Sequence, residues 1–293
     1  MGLCQPRWRM RDQVRIIMPT RDPSRVRSMM QTLSADGWSE CVVIHPPSAA
    51  AVGGTPAIVT NHLLSPAAAR NRGAAGARTA FLCFLDDDVD FSSATLDALL
   101  SQCASAGVIA AGPVLEDSPT DHYWRRCMHR VMCGPQYASS RSSDVEHLMS
   151  MCLVVRRDAF EAVGGFDERY TQPAGEDTAL TMRLATLGAL AIVRTARITH
   201  RPQPDGWSTA SRRLFRYGTA WAQVSHTAGP GRRWIHRLSP VVRWCLLGVM
   251  PLVALGDALI ATSWRYWLGY AWLRLCWYAG WLTAAPGNRA VSS

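Results

Sequence analysis

Phe81–Phe91, FLCFLDDDVDF, is an apolar run that ends in three carboxylates, Asp86, Asp87 and Asp88. The run from Phe81 to Leu85 is short, apolar on both faces and partly aromatic, the pattern of a strand buried inside a sheet. Acids at the C-terminal end of such a strand lie where open α/β sheets bind their ligands. Side chains alternate along a strand, so Asp86 and Asp88 share one face and Asp87 takes the other. Two carboxylates on one face make a hard oxygen site suited to Mg²⁺ or Mn²⁺, ions that commonly bridge to phosphate oxygens. The plain alternative is an acidic turn after a core strand. An EF-hand read from Asp86 fails, because its sixth position is Phe91 in place of Gly and its twelfth is Asp97 in place of Glu. A D-x-D phosphatase motif wants Thr or Val where this chain has Asp90.

Outward from that strand, the chain alternates between strand and helix. Val14–Met18 reads as the first strand, and Ser24 caps a helix that reaches Leu33. Cys41–Ile44 is a second strand and Ala57–Thr60 a weak third. An Ala/Arg-rich helix within Asn61–Ala80 is entered at Ser65-Pro66, with proline in the first turn. After the acidic strand come a helix over Ser93–Ala106 and a strand at Val108–Ala111. Such alternation predicts a mostly parallel sheet with helices on both faces. Asp117–His147 is read as an irregular loop, with a basic aromatic surface (His122, Tyr123, Trp124, Arg125, Arg126, His129, Arg130) as its alternative. Leu148–Val155 is a strand and Asp158–Val163 a short helix stopped at Gly164-Gly165. Gly175-Glu176-Asp177-Thr178 opens a helix to Leu187, and a strand at Ala191–Val193 precedes Ile198-Thr199-His200.

Composition narrows the partners. With 48% hydrophobic and 18% charged residues, the chain is globular or membrane-associated and not disordered. Its 31 basic residues are all arginine and its net charge is +9, which allows nucleic acid, anionic lipid or phosphorylated ligands. No basic block with interleaved aromatics occurs in the first half, so no nucleic-acid partner is expected. Nine cysteines stand without a C-x-x-C pair, the usage of a reducing compartment. The basic start MGLCQPRWRMRD has no apolar stretch behind it, so no signal peptide is expected.

Five motifs then stand in one order: PTRD after the first strand, AAARNRGAAGA before FLDDDV, GGFDERY, GEDTALTMRLATLG, and a closing ITH. Over Val14–His200 this series resembles the family-2 glycosyltransferases of GT-A fold. The resemblance implies a nucleotide-sugar donor, an acceptor hydroxyl, a divalent metal (Mn²⁺ or Mg²⁺) and inversion at the sugar carbon. It assigns the metal to Asp88, Asp86 and His200, and the nucleotide to Thr20, Arg21, Arg70, Asp86 and Asp87. Asp177 matches the general base that takes the acceptor's proton, and Glu176 orients that base or holds the acceptor. Without the family order, Glu176 and Asp177 would read as first-turn acids set against a helix dipole. One departure stands out. After the second strand the family carries an Asp-rich turn that holds the nucleotide base, and here that place reads His45-Pro46-Pro47-Ser48.

The expected organisation is a basic tail over 1–13, a GT-A catalytic domain over 14–205, an Arg-rich amphipathic segment over 206–237, a membrane-associated helical hairpin over 238–286, and a tail over 287–293. Trp244–Ser263 is apolar except for Asp257, and Trp264–Ala285 is crowded with Trp and Tyr around Arg265 and Arg274. Each is long enough to cross a bilayer core of ~30 Å. Asp257 and Arg274 would then need to pair in lipid. Interfacial helices lying on the membrane, or helices packed on the domain, are the alternatives. The expectation is thus a transferase at the cytoplasmic face of the cell membrane, acting on a lipid-linked glycan or a small-molecule hydroxyl. Two other classes remain open: a D-x-D phosphatase or nucleotidyltransferase, and a degenerate GT-A scaffold or sugar-binding protein favoured by His45-Pro46-Pro47.

Overall fold

Strand β1 (Val14–Pro19) is buried along most of its length and pairs in parallel with both β2 (Cys41–His45) and β4 (Phe81–Leu85). A computed structural model describes residues 10–47, 56–137, 145–201, 206–227, 246–260 and 264–284. Helix α1 (Pro23–Ala35) joins β1 to β2. Its N-cap is Asp22, whose side chain accepts from the Ser24 amide, so the helix begins two residues earlier than Ser24 as cap would put it. β3 (Ala57–Val59) pairs in parallel with the outer side of β2. Helix α2 (Pro66–Ala74) follows, capped by Ser65 Oγ accepting from the Ala68 amide, with Pro66 at its first turn. The remaining elements of this half are β5 (Val89–Asp90), α3 (Ser93–Cys103), β6 (Val108–Glu116), β7 (Cys152–Arg156), α5 (Arg157–Ala162), α6 (Glu176–Leu184) and β8 (Ala189–His200).

The sheet has eight strands in the order β3-β2-β1-β4-β7-β6-β8-β5. It is mixed yet mostly parallel, as expected, since only β7 and β5 run against the other six strands. β7 runs antiparallel between β4 and β6, and β5 runs antiparallel to β8, while β6 and β8 are parallel. A crossover helix is needed only between parallel neighbours. β7 enters between β4 and β6 after a long excursion of the chain, so it is free to run either way.

Beneath the sheet, Phe84 at the centre of β4 stacks its edge on Phe166, with centroids 5.0 Å apart, and tilts against Phe160 at 5.4 Å. Ile17, Ile44, Leu153, Val155, Leu180 and Leu184 close the same core, all of them 2% exposed or less. Seven cysteines lie among the described residues, six of them buried. Burial pushes the Cys103 and Cys152 thiols up to about 12, so they act as small apolar side chains.

The chain divides into two units. One comprises Met1–Glu116 with Ser143–Arg201, and the other Asp117–Ser142 with Pro202–Ser293. The second unit holds α4 (Tyr123–Cys133), α7 (Trp207–Thr227), α8 (Met250–Ile260) and α9 (Trp267–Thr283). Much of the expected 117–147 loop is therefore helix. Arg125, His129 and Arg130 on α4 are buried and are not an exposed basic surface. They are tolerated because acids are supplied locally: Asp121 accepts from Arg125 Nη1 at 2.9 Å, and Asp117 lies 3.3 Å from His129 Nδ1.

The two expected membrane spans are not supported. Among the described residues no helix is long and apolar enough to cross a membrane. At ~1.5 Å per residue, α8 and α9 reach about 16 and 25 Å, short of the ~30 Å core. They pack on each other through Ala254, Tyr270 and Leu273. Arg232, Arg233, Arg237 and the side chain of Asp257 lie outside the described residues, and with Asp257 the expected pair to Arg274. Helices α7 and α9 touch backbone to backbone. A Cβ on Gly218 would stand 1.8 Å from the Trp277 carbonyl oxygen, and one on Gly280 would stand 1.9 Å from that of Phe215.

Gly73 on α2 seats that helix on the sheet, since a Cβ there would stand 2.4 Å from Ile17 Cγ2 and 2.7 Å from Ile44 Cδ1. Gly73→Ala is expected to overpack this contact and destabilise the fold by about 1–3 kcal/mol. The measurement is the midpoint of chemical unfolding, and an unchanged or raised midpoint would show that the two isoleucines yield.

Candidate active site

At the end of β4 the chain turns, and its three acids part company. Asp86 is anchored by its own amide, which donates to the Met151 carbonyl at 2.9 Å. Its carboxylate accepts from Arg70 Nη2 at 2.7 Å. Asp87 turns to the end of β1, where it accepts from Thr20 Oγ1 at 2.5 Å, with Arg25 3.7 Å away. Asp88 Oδ1 lies 3.2 Å from His200 Nε2. That pair is set by the sheet, because β5 follows Asp88 directly and Val89 is registered opposite His200, while the Arg201 amide donates to the Asp88 carbonyl. Arg21, next to Thr20 in the chain, is exposed.

On the other side, Gly175 precedes α6 with φ 85°, a left-handed conformation that suits glycine, and turns the chain so that Glu176 enters the helix buried. Glu176 Oε1 accepts from Arg70 Nη1 at 3.1 Å. One buried guanidinium therefore spans Asp86 at the end of β4 and Glu176 at the start of α6, while resting over the Phe166 ring at 5.4 Å. Asp177, next in the chain, is oriented by two backbone donors. The Thr178 amide reaches Oδ1 at 2.7 Å and the Ser150 amide reaches Oδ2 at 3.3 Å.

Electrostatics follow from this crowding. Burial raises the Asp86 carboxyl above its ordinary range, Arg70 opposes that, and Asp88 adds to it. Burial likewise raises Asp87, against the hydrogen bond from Thr20. Glu176 is pushed up to about 7, first by burial and then by Asp177, with Arg70 pulling the other way. Its Oε2 is buried without a hydrogen-bond partner among the described residues.

Eight of the nine residues singled out in the sequence thus fall into three linked groups: Thr20 with Asp87, Asp88 with His200, and Asp86–Arg70–Glu176 running on to Asp177. Sequence reasoning missed Ser150, whose contribution is a backbone amide ahead of β7 and has no residue-type signal. It also missed that Arg70 is internal. Carboxylate and imidazole atoms 3.2 Å apart at Asp88 and His200 are a donor set that suits Mn²⁺. In the second unit Asp117, Asp121 and His129 offer atoms within 4.8 Å of one another. Both of those carboxylates are already committed, Asp121 to Arg125 and Asp117 to the Tyr137 hydroxyl.

Solved structures decide the fold. A mannosyltransferase from Pyrobaculum calidifontis, solved with GDP-Man and Mn²⁺, superimposes with a TM-score of 0.55 over 88% of this chain and 86% of its own, at 16% identity. The fold is that of the GT-A glycosyltransferases. Glucosyl-3-phosphoglycerate synthase from Mycobacterium tuberculosis, solved with Mn²⁺ and UDP-glucose, shares the GT-A fold with a TM-score of 0.52 over 76% of this chain and 84% of its own, at 13% identity. By sequence, the chain is 33% identical over 169 residues to the pre-mycofactocin glycosyltransferase of M. tuberculosis, covering 54% of this chain and 35% of that protein. It is 35% identical over 139 residues to the N-acetylglucosaminyl-diphospho-decaprenol L-rhamnosyltransferase of the same organism, covering 39% and 44%. The matched part thus spans less than half the length of these relatives. No family model matches the chain.

The raised Glu176 carboxyl sets a pH dependence. Between its ordinary 4.5 and about 7 the folded chain binds more protons than the unfolded one, so this group's contribution to stability falls as pH rises through that window. The loss has an upper bound of roughly 3 kcal/mol. Glu176→Gln is expected to be more stable relative to the parent at pH 8 than at pH 5, as read from paired melting curves. Parallel curves at both pH values would show an ordinary Glu176.

Proposed function

We propose that the chain is an inverting glycosyltransferase that moves a sugar from a nucleoside-diphosphate donor to an acceptor hydroxyl at a membrane face. The observation that carries this is the gathering, on a GT-A fold, of Asp88 with His200 and of Asp177 on its two backbone donors. Asp88 and His200 would hold a divalent metal, Mn²⁺ as in the related structures, with Asp86 beside them. The metal supplies positive charge where the departing diphosphate gathers negative charge.

The chain's own groups account for the rest. Thr20 and Asp87, tied together at the ends of β1 and β4, bound the nucleotide side together with exposed Arg21. Asp177, held by the Thr178 and Ser150 amides, takes the proton from the acceptor hydroxyl as that oxygen attacks the sugar carbon. A single displacement from the face opposite the leaving diphosphate inverts the centre. Glu176, with a pKa near neutrality and a free Oε2, is suited to hold an acceptor or sugar hydroxyl beside the base. Arg70 acts through these acids and fixes Asp86 and Glu176 against each other. A lipid-linked acceptor fits the rhamnosyltransferase relative, and a small-molecule hydroxyl fits the pre-mycofactocin relative.

His45 favours a second reading, a sugar-binding or scaffold protein that no longer transfers. It is 2% exposed at the end of β2, where the family's base-holding acid is expected, and its Nδ1 lies 2.9 Å from the Pro46 carbonyl oxygen.

Thermal stability with UDP, GDP, CDP and dTDP, each with and without Mn²⁺, separates the two. Ligand at about 100 times its dissociation constant adds ~2.7 kcal/mol to the folded state. A Mn²⁺-dependent shift with one nucleotide is expected. No shift with any of them would favour the scaffold.

Asp88→Ala is expected to remove the Mn²⁺-dependent part of that shift, and an unchanged shift would take Asp88 out of the metal site. Asp177→Asn is expected to keep donor binding while turnover falls by a factor on the order of 10² or more. Normal turnover in that variant would mean the proton goes elsewhere.

A further inference from the structure

The charge of this chain is unevenly placed. Ten of its 31 arginines but only one of its 22 acids, Asp257, lie beyond Asp205. Residues 1–205 therefore balance at 21 basic against 21 acidic side chains, and the whole excess of +9 falls on residues 206–293. The same stretch carries ten of the fourteen large apolar side chains exposed among the described residues. Two independent properties, cationic charge and uncovered apolar surface, thus coincide in the second unit.

The exposed apolar residues are ordered. Leu252, Leu255 and Leu259 fall at i, i+3 and i+7 and share one face of α8. Trp264, Leu268 and Trp272 recur every four residues through the turn before α9 and along that helix, and Trp264 and Leu268 are 76% and 68% exposed. The row passes on to α7, where Trp207 packs on Trp272 with centroids 5.9 Å apart and Ser211 Oγ accepts from Trp272 Nε1 at 2.8 Å. Arg212, next to Ser211 on α7, and Arg265, next to Trp264 in the turn before α9, are exposed. A protein partner's face would reward the leucines equally. Tryptophans concentrated among arginines, with almost no acid, match the boundary of an anionic bilayer, where indoles sit at headgroup depth and guanidinium groups meet phosphate.

We propose that this face of the second unit docks on an anionic lipid surface, its helices lying in the headgroup boundary without crossing the bilayer. The proposal deepens the membrane-face reading above and rests on it for its biological setting. Its test involves no sugar transfer, so either reading can fail while the other stands.

The experiment is sedimentation of the full chain with vesicles of phosphatidylcholine alone and of equal parts phosphatidylcholine and phosphatidylglycerol, at low and high salt. Binding to the mixed vesicles is expected to be about tenfold tighter or more than to the neutral ones, to weaken with salt, and to shift tryptophan emission to the blue. The double substitution Trp264→Ser with Leu268→Ser is expected to weaken it about tenfold or more. Both side chains are exposed, so the melting curve and circular dichroism of that variant should match the parent. No binding, equal binding to both vesicles, or unchanged binding by a folded double variant would overturn the proposal. So would self-association that the double substitution abolishes in a chain that ignores vesicles, since the occupant would then be a second copy. Vesicle binding with no nucleotide response would leave the docking face standing and remove the transferase reading alone.

Discussion

A guanidinium taken out of water must be neutralised where it sits, and Arg70 is that group here. It is 4% exposed and is met by Asp86 from the end of a strand and Glu176 from the start of a helix. Neither acid is near the other in sequence, so the cation is the tie that fixes how the acidic turn and the first turn of α6 face each other. Removing one partner of such a set leaves uncompensated buried charge, a cost of several kcal/mol. The placement of Arg70 itself depends on plainer things: a serine cap, a proline in the first turn, and Gly73 letting α2 approach the sheet. The raised Glu176 carboxyl belongs to the same place: burial raises it first and Asp177 next, with Arg70 pulling the other way.

What the sequence displays well is local. The Phe81–Leu85 strand stands with the bounds its hydrophobic run predicts, and the Ser65-Pro66 entry is a helix start with its cap in place. The ends of β1 and β4 carry their polar residues where strand order puts a ligand. Glu176 and Asp177 open a helix after Gly175, as the Gly175-Glu176-Asp177-Thr178 run predicts. The pairing of Arg70 with both acids is not of this kind. It depends on where α2 lies across the sheet, which no residue spacing encodes.

Where structure and sequence pattern differ, the cause is the same in two places: residue type alone assigns polar side chains to water and long apolar runs to lipid. On α4, residue type alone places Arg125, His129 and Arg130 in water, on a basic surface or a loop. Asp121 and Asp117, supplied by the preceding turn, allow them to be buried. In the C-terminal stretch, two long apolar windows looked like spans. The described helices there are shorter, and part of their apolar surface is covered by each other and by α4 through Tyr123, whose hydroxyl accepts from the Gly269 amide at 3.0 Å. The direction of β7 is likewise hidden, because an isolated strand of five residues, four of them buried, carries no mark of parallel or antiparallel pairing.

The glycine contacts between α7 and α9 carry one more implication. With Gly218 against the Trp277 carbonyl and Gly280 against that of Phe215, these helices meet at two points through backbone atoms, beside the ring contacts of Trp207 with Trp272 and Trp221 with Trp277. Such contact draws its energy from dispersion and short-range polar terms, and owes little to the expulsion of water. It therefore holds in hydrocarbon as it does in buffer. At those two points the hold of α7 on α9 is indifferent to solvent, whether the second unit stands in water or against a headgroup layer.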